Sequence, residues 1–208
     1  MKLKKLVTLA LFGFASIAHA DNISFTGNFT YDNDVQRFNF TLAETSTVTL
    51  RSWSYAGGVN AAGQAIGRGG FDPILALFSA DGVRIDEQDD AGCSLVDGDA
   101  VTGACFDVNF TRELAAGNYI VTIQQFDNFS NGDLADGFEF DGFGNRDFRD
   151  GFVDAEGDKR DGHWAFDILN VNSAEIPDEV PEPASMAILA AGVAGMGLAR
   201  RRKAKPQA

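Results

Sequence analysis

Histidine is scarce in this chain of 208 residues, which contains only His19 and His163. His19 lies in an N-terminal leader, so we expect His163 to be the single histidine of the mature protein. The sequence has neither an H-E-x-x-H zinc motif nor a G-x-S-x-G nucleophile elbow. We therefore predict that the protein is not an enzyme. A Ser-His-Asp triad through His163 and a carboxylate pair of the glycosidase type remain as alternatives.

Basic residues are also few once the two ends of the chain are set aside. All 30 acidic residues lie between Asp21 and Glu182, where only nine basic residues occur, so this stretch carries a net charge of −21. Such a surface repels phosphate backbones, which argues against nucleic acid as a partner. It is compatible with divalent cations.

The chain contains two cysteines, Cys93 and Cys105. In an oxidising compartment they most simply form a disulfide. The bridge would close a loop of 13 residues, which the chain-entropy model values at roughly 3 kcal/mol. A metal site is the poorer interpretation, because no further cysteine or nearby histidine completes a ligand set.

The first 20 residues, "MKLKKLVTLALFGFASIAHA", have the pattern of a signal peptide. Three lysines precede an apolar core, and Ala18-His19-Ala20 forms an A-x-A cleavage site. We expect the Sec translocon and signal peptidase to act here. The mature protein then starts at Asp21 and works outside the cytoplasm.

The body, residues 21–173, contains eight segments with the pattern of β-strands, most of which alternate apolar and polar residues. Examples are "DVQRFNFTL", with Phe38, Phe40 and Leu42 on one face, and "FDPILALFS", a continuous apolar run typical of a central strand. The latter is followed by Asp81-Gly82, the signal of a two-residue hairpin. We predict an all-β fold: an antiparallel β-sandwich or jelly roll of about eight strands.

The C-terminus contains a linker over 174–183, an apolar run over 184–199 and a basic tail over 200–208. Positive charge favours the cytoplasmic side, so the tail would stay inside and the linker outside. A helix of 16 residues spans ~24 Å, whereas a hydrocarbon core is ~30 Å thick. We therefore predict a short transmembrane segment that pauses in the membrane. A plain anchor helix is the alternative.

Two motifs at this end carry a resemblance. Pro181-Glu182-Pro183, an apolar run and Arg200-Arg201-Arg202 resemble the PEP-CTERM sorting signal of Gram-negative bacteria. The resemblance implies recognition by an exosortase, cleavage near Pro-Glu-Pro and a link to exopolysaccharide and biofilm. It implies a protein that is transiently anchored in the inner membrane and then reaches the cell surface or the extracellular space.

The body carries a second resemblance, from Phe25 to Val171. "GGFDPILALFSADGVRIDEQDD", "LAAGNYIVTIQQFDNF" and "GHWAFDILNV" are similar to the pre-peptidase C-terminal domains attached to secreted proteases. This resemblance supports a sandwich and implies an accessory role without catalysis. An accessory domain of a secreted hydrolase is therefore one alternative function.

Calcium is the cofactor that the acidic loops favour, because hard cations require several oxygen ligands. Solvated acidic turns are the alternative. The candidate ligands lie around the cysteine loop and in the long loop after it: Asp72, Asp86, Asp89, Asp90, Asp141, Asn145, Asp147 and Asp150. A calcium-dependent carbohydrate-binding module is a further alternative function, for which Trp53, Tyr55 and the loop phenylalanines are the available rings. Exopolysaccharide would then be a partner.

Asn-x-Ser/Thr sequons occur five times. Only Asn109, in "DVNFT", has an acidic residue two positions earlier, as the longer bacterial acceptor does. Asn109 is therefore the candidate for glycosylation.

Overall fold

The computed structural model describes residues 20–143 and 146–177, and this part of the chain consists of antiparallel strands. One 3-10 turn, Leu134–Asp136, is its only helical element. The strands in chain order are β1 (Asp21–Asn28), β2 (Val35–Leu42), β3 (Ser46–Ser52), β4 (Gly58–Val59), β5 (Ala65–Ile66), β6 (Pro73–Ser79), β7 (Arg84–Gln88), β8 (Asn109–Leu114), β9 (Gly117–Gln125), β10 (Phe152–Val153), β11 (Lys159–Arg160), β12 (His163–Val171) and β13 (Ser173–Glu175).

The strand pairing has the nested order of a jelly roll. One sheet has the order β1-β12-β3-β8, and the other has the order β13-β2-β9-β6-β7. Among the eight long strands, the first therefore pairs with the last, the second with the seventh, the third with the sixth and the fourth with the fifth. This is a long double-stranded hairpin rolled into two sheets. The predicted antiparallel sandwich is confirmed, and its eight strands are the eight that the alternation indicates.

The core lies between the inner faces of the two sheets. In β2 the side chains of Phe38, Phe40 and Leu42 are buried, as the period of two predicts. Phe38 contacts Phe166 and Trp164 of β12 in the facing sheet, with ring centroids 5.2 and 5.7 Å apart. Aromatic rings therefore pack directly against one another between the two sheets.

Strand β6 is buried on both faces. Leu75 and Leu77 belong to the core, while Ile74, Ala76 and Phe78 face the other side and are equally inaccessible to solvent. Residues 126–143 cover this outer face. The Ser130 N–H donates to Glu87 Oε1 of β7 at 2.8 Å, and the Leu134 N–H donates to the Gly82 carbonyl at 2.8 Å. The continuous apolar run in the sequence is explained by this cover.

The hairpin between β6 and β7 is confirmed, but its loop contains three residues, 80–82, instead of two. The Gly82 N–H donates to the Ser79 carbonyl, and the Ser79 N–H donates to the Val83 carbonyl, both at 2.9 Å. Gly82 has a φ of 82°. Because three-residue hairpin loops end on a residue in the left-handed region, glycine is required here rather than at the centre of a two-residue turn.

The glycine-rich loop 54–70 contains the β4–β5 hairpin and covers the outer face of the four-stranded sheet. The Ala61 N–H donates to Asp167 Oδ2 at 2.9 Å, and the Ala62 N–H donates to Ser24 Oγ at 3.0 Å. Trp53, at the start of the loop, donates its Nε1–H to the same Asp167 oxygen at 2.7 Å. Both long loops are thus packed on the sandwich.

The second half of the aspartate- and glycine-rich loop is held by phenylalanines. Phe148 is 1 % exposed and stacks on Phe152 at a centroid distance of 4.4 Å. Its backbone N–H donates to the Thr30 carbonyl at 2.8 Å. Phe138 is also buried, whereas Phe143 is 69 % exposed. Phe138 and Phe148 therefore hold this loop on the sandwich.

Cys93 and Cys105 form the predicted disulfide, so that interpretation is confirmed. Among the described residues, no helix is long and apolar enough to cross a membrane. The predicted signal peptide (1–20, except Ala20), the PEP-CTERM motif, the transmembrane segment 184–199 and the basic tail 200–208 lie outside the described residues.

Candidate metal centre

Three of the eight predicted ligands, Asp72, Asp89 and Asp90, meet at one end of the five-stranded sheet. Asp72 directly precedes β6, and Asp89 and Asp90 directly follow β7. Because β6 and β7 are antiparallel neighbours, the start of one lies beside the end of the other. One carboxylate oxygen from each residue lies within 4.8 Å of the other two. We call these three residues the aspartate trio.

The trio is only partly open to solvent. Asp72 and Asp89 are half-buried, and Asp90 is exposed. Asp72 Oδ1 and Asp89 Oδ1 are buried atoms that receive no hydrogen bond from any described residue. Buried polar atoms normally have a partner, so these two oxygens need one from outside the protein.

The electrostatics of the trio disfavour three bare negative charges. Burial, followed by the charges of Asp89, Asp90 and Asp107, raises the pKa of Asp72 to about 9. Burial, followed by the charges of Asp90 and Asp127, raises the pKa of Asp89 to about 6. Burial also raises the pKa of Asp90. At neutral pH the cluster is stabilised by a bound proton or by a cation.

Asp107 lies behind the trio and is 3 % exposed. Its carboxylate accepts hydrogen bonds from Ser52 Oγ at 2.7 Å and from the backbone N–H groups of Ser54, Tyr55 and Ala56 at 2.7, 3.2 and 2.8 Å. Burial outweighs these bonds and raises its pKa. Asp107 therefore holds the turn after β3, and its charge acts on Asp72 and Asp90. Its Oδ2 accepts a single hydrogen bond, from the Ala56 N–H.

The other predicted ligands do not join the trio. Asp86 forms an ion pair with Arg112 across the open edge of the sandwich. Asp141 accepts a hydrogen bond from the Phe138 N–H at 2.9 Å. Each carboxylate therefore has a structural partner of its own.

Asp147 forms an exposed ion pair with Arg149 at 2.5 Å. Asp150 is exposed at a separate groove that Lys159 and Arg160 also line. Asn145 lies outside the described residues. The long loop therefore supplies no ligand to the trio from these positions among the residues that the structure describes.

Beside the trio lies a cleft of ≈ 470 Å³, a size within the ~300–1,000 Å³ of typical ligand pockets. We call it the aspartate–phenylalanine cleft. Its lining comprises carboxylates, aromatic rings, one arginine and a few small or amide side chains. The residues are Asp32, Tyr55, Asp72, Asp90, Phe106, Gln125, Phe126, Asp127, Phe140, Arg146, Phe152, Val153, Asp154 and Ala155.

Asp127 is the cleft residue with an unusual backbone. It is exposed and has a φ of 70°, and its charge acts on Asp89. Non-glycine residues with positive φ are uncommon, although aspartate and asparagine tolerate this region best. Asp127 was not among the predicted ligands, because "QQFDN" contains no local signal that links it to Asp89. Asp107 was missed for the same reason.

The aromatic rings that the sequence offered as sugar contacts, Tyr55 and Trp53, differ in their burial. Tyr55 is fully buried, and its hydroxyl donates to Asp154 Oδ2 at 2.9 Å. Burial raises its pKa to about 12. Trp53 is half-buried, with the Arg51 guanidinium 3.7 Å from its ring centroid. Neither ring offers an open face. The exposed phenylalanines among the described residues are Phe126 and Phe143, at 40 % and 69 %, and of these two only Phe126 lines the cleft.

Two further sequence-predicted residues have defined contacts. His163 Nδ1 lies 2.5 Å from Asp161 Oδ1, and its Nε2 lies 3.1 Å from the Gly67 carbonyl. Asn109, the candidate for glycosylation, lies in β8 and donates from Nδ2 to the Leu95 carbonyl at 3.1 Å. Glycosylation would replace one of the two hydrogens on this nitrogen and leave one N–H.

Comparison with known proteins identifies the C-terminal signal. Residues 179–203 match a family model described as the PEP-CTERM protein-sorting motif. No curated protein matches the chain. The likeness of the body to pre-peptidase C-terminal domains stays a prediction. The motif confirms the predicted sorting signal, and the chain is an exported protein that an exosortase processes and that a system of the Gram-negative type sorts to the cell surface.

Proposed function

We propose that this protein is a non-catalytic, calcium-binding jelly-roll domain of the cell surface or extracellular matrix, in the setting of exopolysaccharide and biofilm. One observation carries the calcium part: three carboxylates converge within 4.8 Å. No described arginine or lysine forms an ion pair with any of them.

The chemistry of the trio suits calcium. Ca²⁺ takes six to eight oxygen ligands in flexible geometry. The trio can supply at least three, two of which come from the unpaired Oδ1 atoms of Asp72 and Asp89. Exposed Asp90 leaves one side of the centre accessible to water or to a ligand. A cation would replace the proton that burial now favours.

A non-catalytic role is supported by the surroundings of His163. Its two ring nitrogens lie against a carboxylate oxygen and a backbone carbonyl. A triad would require one of them to face a serine hydroxyl. An accessory domain of a secreted hydrolase, which the second resemblance implies, would share the same calcium centre.

Calorimetry on the processed protein tests the calcium part. We expect Ca²⁺ to bind with measurable heat and to raise the melting temperature, because a ligand that binds only the folded state stabilises it. Mg²⁺ should bind more weakly, since it requires near-ideal octahedral geometry. Absence of both heat and a thermal shift would contradict the proposal.

Matched variants sharpen this test. Asp72→Asn and Asp89→Asn each remove one charge from the trio and should abolish the calcium response. Asp97→Asn removes the same charge from an exposed residue of the cysteine loop and should leave it intact. Loss of binding in all three variants would mean that only the overall charge matters.

Fractionation of the producing cells tests the location. Replacing Pro181, Glu182 and Pro183 by alanine should leave the basic tail attached and the protein in the membrane fraction. Gln207→Ala, outside the matched residues 179–203, should be processed normally. In a strain that makes no exopolysaccharide, we expect the processed protein to move from the matrix fraction to the medium; an unchanged distribution would refute the matrix role.

A further inference from the structure

The aspartate–phenylalanine cleft combines acceptor oxygens with exposed apolar rings. Asp72 and Asp90 of the trio face the same cleft as Phe106, Phe126 and Phe140. Neither feature is explained by the stability of the sandwich, because Asp72 Oδ1 and Asp89 Oδ1 are buried without a hydrogen-bond partner among the described residues and Phe126 remains 40 % exposed. A ligand that offers hydroxyl groups on one side and an apolar face on the other would satisfy both.

We propose that this cleft binds a neutral glycan, whose hydroxyl groups contact the cation and the carboxylates while the C–H face of a sugar ring packs on Phe126. This inference rests on the proposed calcium centre, which supplies the cation. It adds the chemical class of the ligand and the residues that select it.

Phe126 occupies a fixed position beside the trio. Phe126 directly follows β9, and its backbone N–H donates to the Asp72 carbonyl at 2.7 Å. This backbone hydrogen bond places the Phe126 residue beside Asp72 of the trio. Phe129 contacts it edge-on at 6.2 Å and restrains its orientation. The negative face of an aromatic ring attracts the slightly positive C–H groups of a sugar.

The charge of the cleft selects a neutral ligand over an anionic one. Its lining contains five aspartates and a single arginine: Asp32, Asp72, Asp90, Asp127, Asp154 and Arg146. Asp154 is paired with Arg160, and Asp32 accepts the Arg146 backbone N–H. One divalent cation does not offset the remaining carboxylates. A uronate polymer would be repelled, whereas hydroxyl groups can donate to carboxylate oxygens that have no partner.

Two side chains allow the cleft to be changed without changing the trio. Phe126→Ala removes the exposed ring. Asp127→Asn removes one acceptor and its charge, and asparagine tolerates the positive φ at this position. Phe143→Ala is the matched control, because this ring is 69 % exposed and does not line the cleft.

The experiment is a solid-phase binding assay of the processed protein on immobilised neutral glycans (mannan, dextran, cellulose oligomers) and on alginate, with Ca²⁺ or with EDTA. We expect calcium-dependent binding to at least one neutral glycan and none to alginate. Phe126→Ala should weaken it about tenfold, the equivalent of one ring–ligand contact. Asp127→Asn should also weaken it, and Phe143→Ala should not.

The outcomes separate this inference from the proposed function, because calcium calorimetry is run on the same samples. Calcium binding without neutral-glycan binding, binding to alginate alone, or binding that Phe126→Ala and Asp127→Asn both leave unchanged would overturn the inference and leave the calcium centre standing. Glycan binding that persists in EDTA and in Asp89→Asn would support the cleft and remove its dependence on calcium.

Discussion

Arg68 binds Asp99 through two parallel hydrogen bonds, from Nε to Oδ2 at 2.5 Å and from Nη2 to Oδ1 at 2.9 Å. Arg68 belongs to the glycine-rich loop that covers one sheet, and Asp99 belongs to the disulfide loop. The Asp99 side chain is fully buried, and Arg160 Nη2 lies 3.5 Å from its Oδ1. The pair therefore connects two loops that share no strand pairing.

Arg68→Met should destabilise the fold by about 1–2 kcal/mol, because it leaves a buried carboxylate with weaker partners. The estimate is moderate since Arg68 is 31 % exposed and Arg160 remains. Urea unfolding at neutral pH measures the difference. Arg149→Met, which breaks the exposed pair with Asp147, should have no measurable effect.

Arg68→Met should also change how the stability of the protein depends on pH in acidic solution. Burial alone would raise the pKa of Asp99, but the hydrogen bonds from Arg68 and Thr102 outweigh it and hold the pKa well below its usual range. A carboxylate whose pKa is lowered by folding stabilises the folded protein at any pH above its pKa in the unfolded chain, which is ~4 for aspartate. This stability is lost as the pH falls through the lower pKa of the folded protein. The stability gap between wild type and Arg68→Met should therefore be constant above about pH 5 and narrow in more acidic solution. A gap that widens there would contradict this account.

Removing the disulfide should lower the free energy of unfolding by about 2–4 kcal/mol. The double variant Cys93→Ser/Cys105→Ser is compared with wild type by urea unfolding. Asp99 still binds Arg68 in this variant, and it also accepts hydrogen bonds from the backbone of Val101 and Thr102. We therefore expect the loop to stay attached and calcium binding to persist. Loss of calcium binding would show that the bridge, rather than the strands, positions the trio.

Phe148→Ala should cost about 3–5 kcal/mol, because it removes a ring that is 1 % exposed and leaves a cavity. The ring contacts Phe71 and Phe152, at 6.1 and 4.4 Å, so the cavity would open between the loop and the core. Thermal unfolding measures the loss. Phe143→Ala, in the same loop but 69 % exposed, should change stability by less than about 0.5 kcal/mol.

Asp107→Asn should separate structural support from ligation. The amide can replace only part of the carboxylate's four hydrogen bonds, so we expect a loss of about 2–3 kcal/mol. Calcium binding should survive because Asp107 is not one of the three carboxylates that converge at the centre. If Asp107→Asn abolishes calcium binding in protein that is still folded, Asp107 is a ligand after all.

The eight long strands could be predicted from the sequence because most of them alternate apolar and polar residues, while β6 is a short continuous apolar run bounded by turn residues. The strands that were missed are short. β4, β5, β10 and β11 contain two residues each, too few to show a period. β13, Ser173–Glu175, pairs with β2 at an edge, and its exposure pattern shows one partly buried residue between two exposed ones. Such segments become strands only because a neighbour is present.

The aspartate trio was partly predictable. The sequence places Asp72 just before the first strand of the hairpin, and Asp89 and Asp90 just after its second strand. Antiparallel pairing brings the start of the first strand beside the end of the second. The four other predicted aspartates have the same side chain as the trio and differ only in their surroundings. Asp86 forms an ion pair with Arg112, and Asp147 forms one with Arg149. These arginines lie 26 and two residues away in sequence, so spacing alone could not sort the paired carboxylates from the unpaired ones.

The sequence by itself determined the strands, the disulfide and the sorting motif, because each depends on residues that are close in the chain or on a short linear pattern. Tertiary structure decided which carboxylates remain without a partner and which rings keep an open face. Both properties depend on what packs against a side chain from elsewhere. Asp107 lies behind the trio, and Phe126 lies beside it. Both positions depend on strand pairing between segments that are far apart in the sequence.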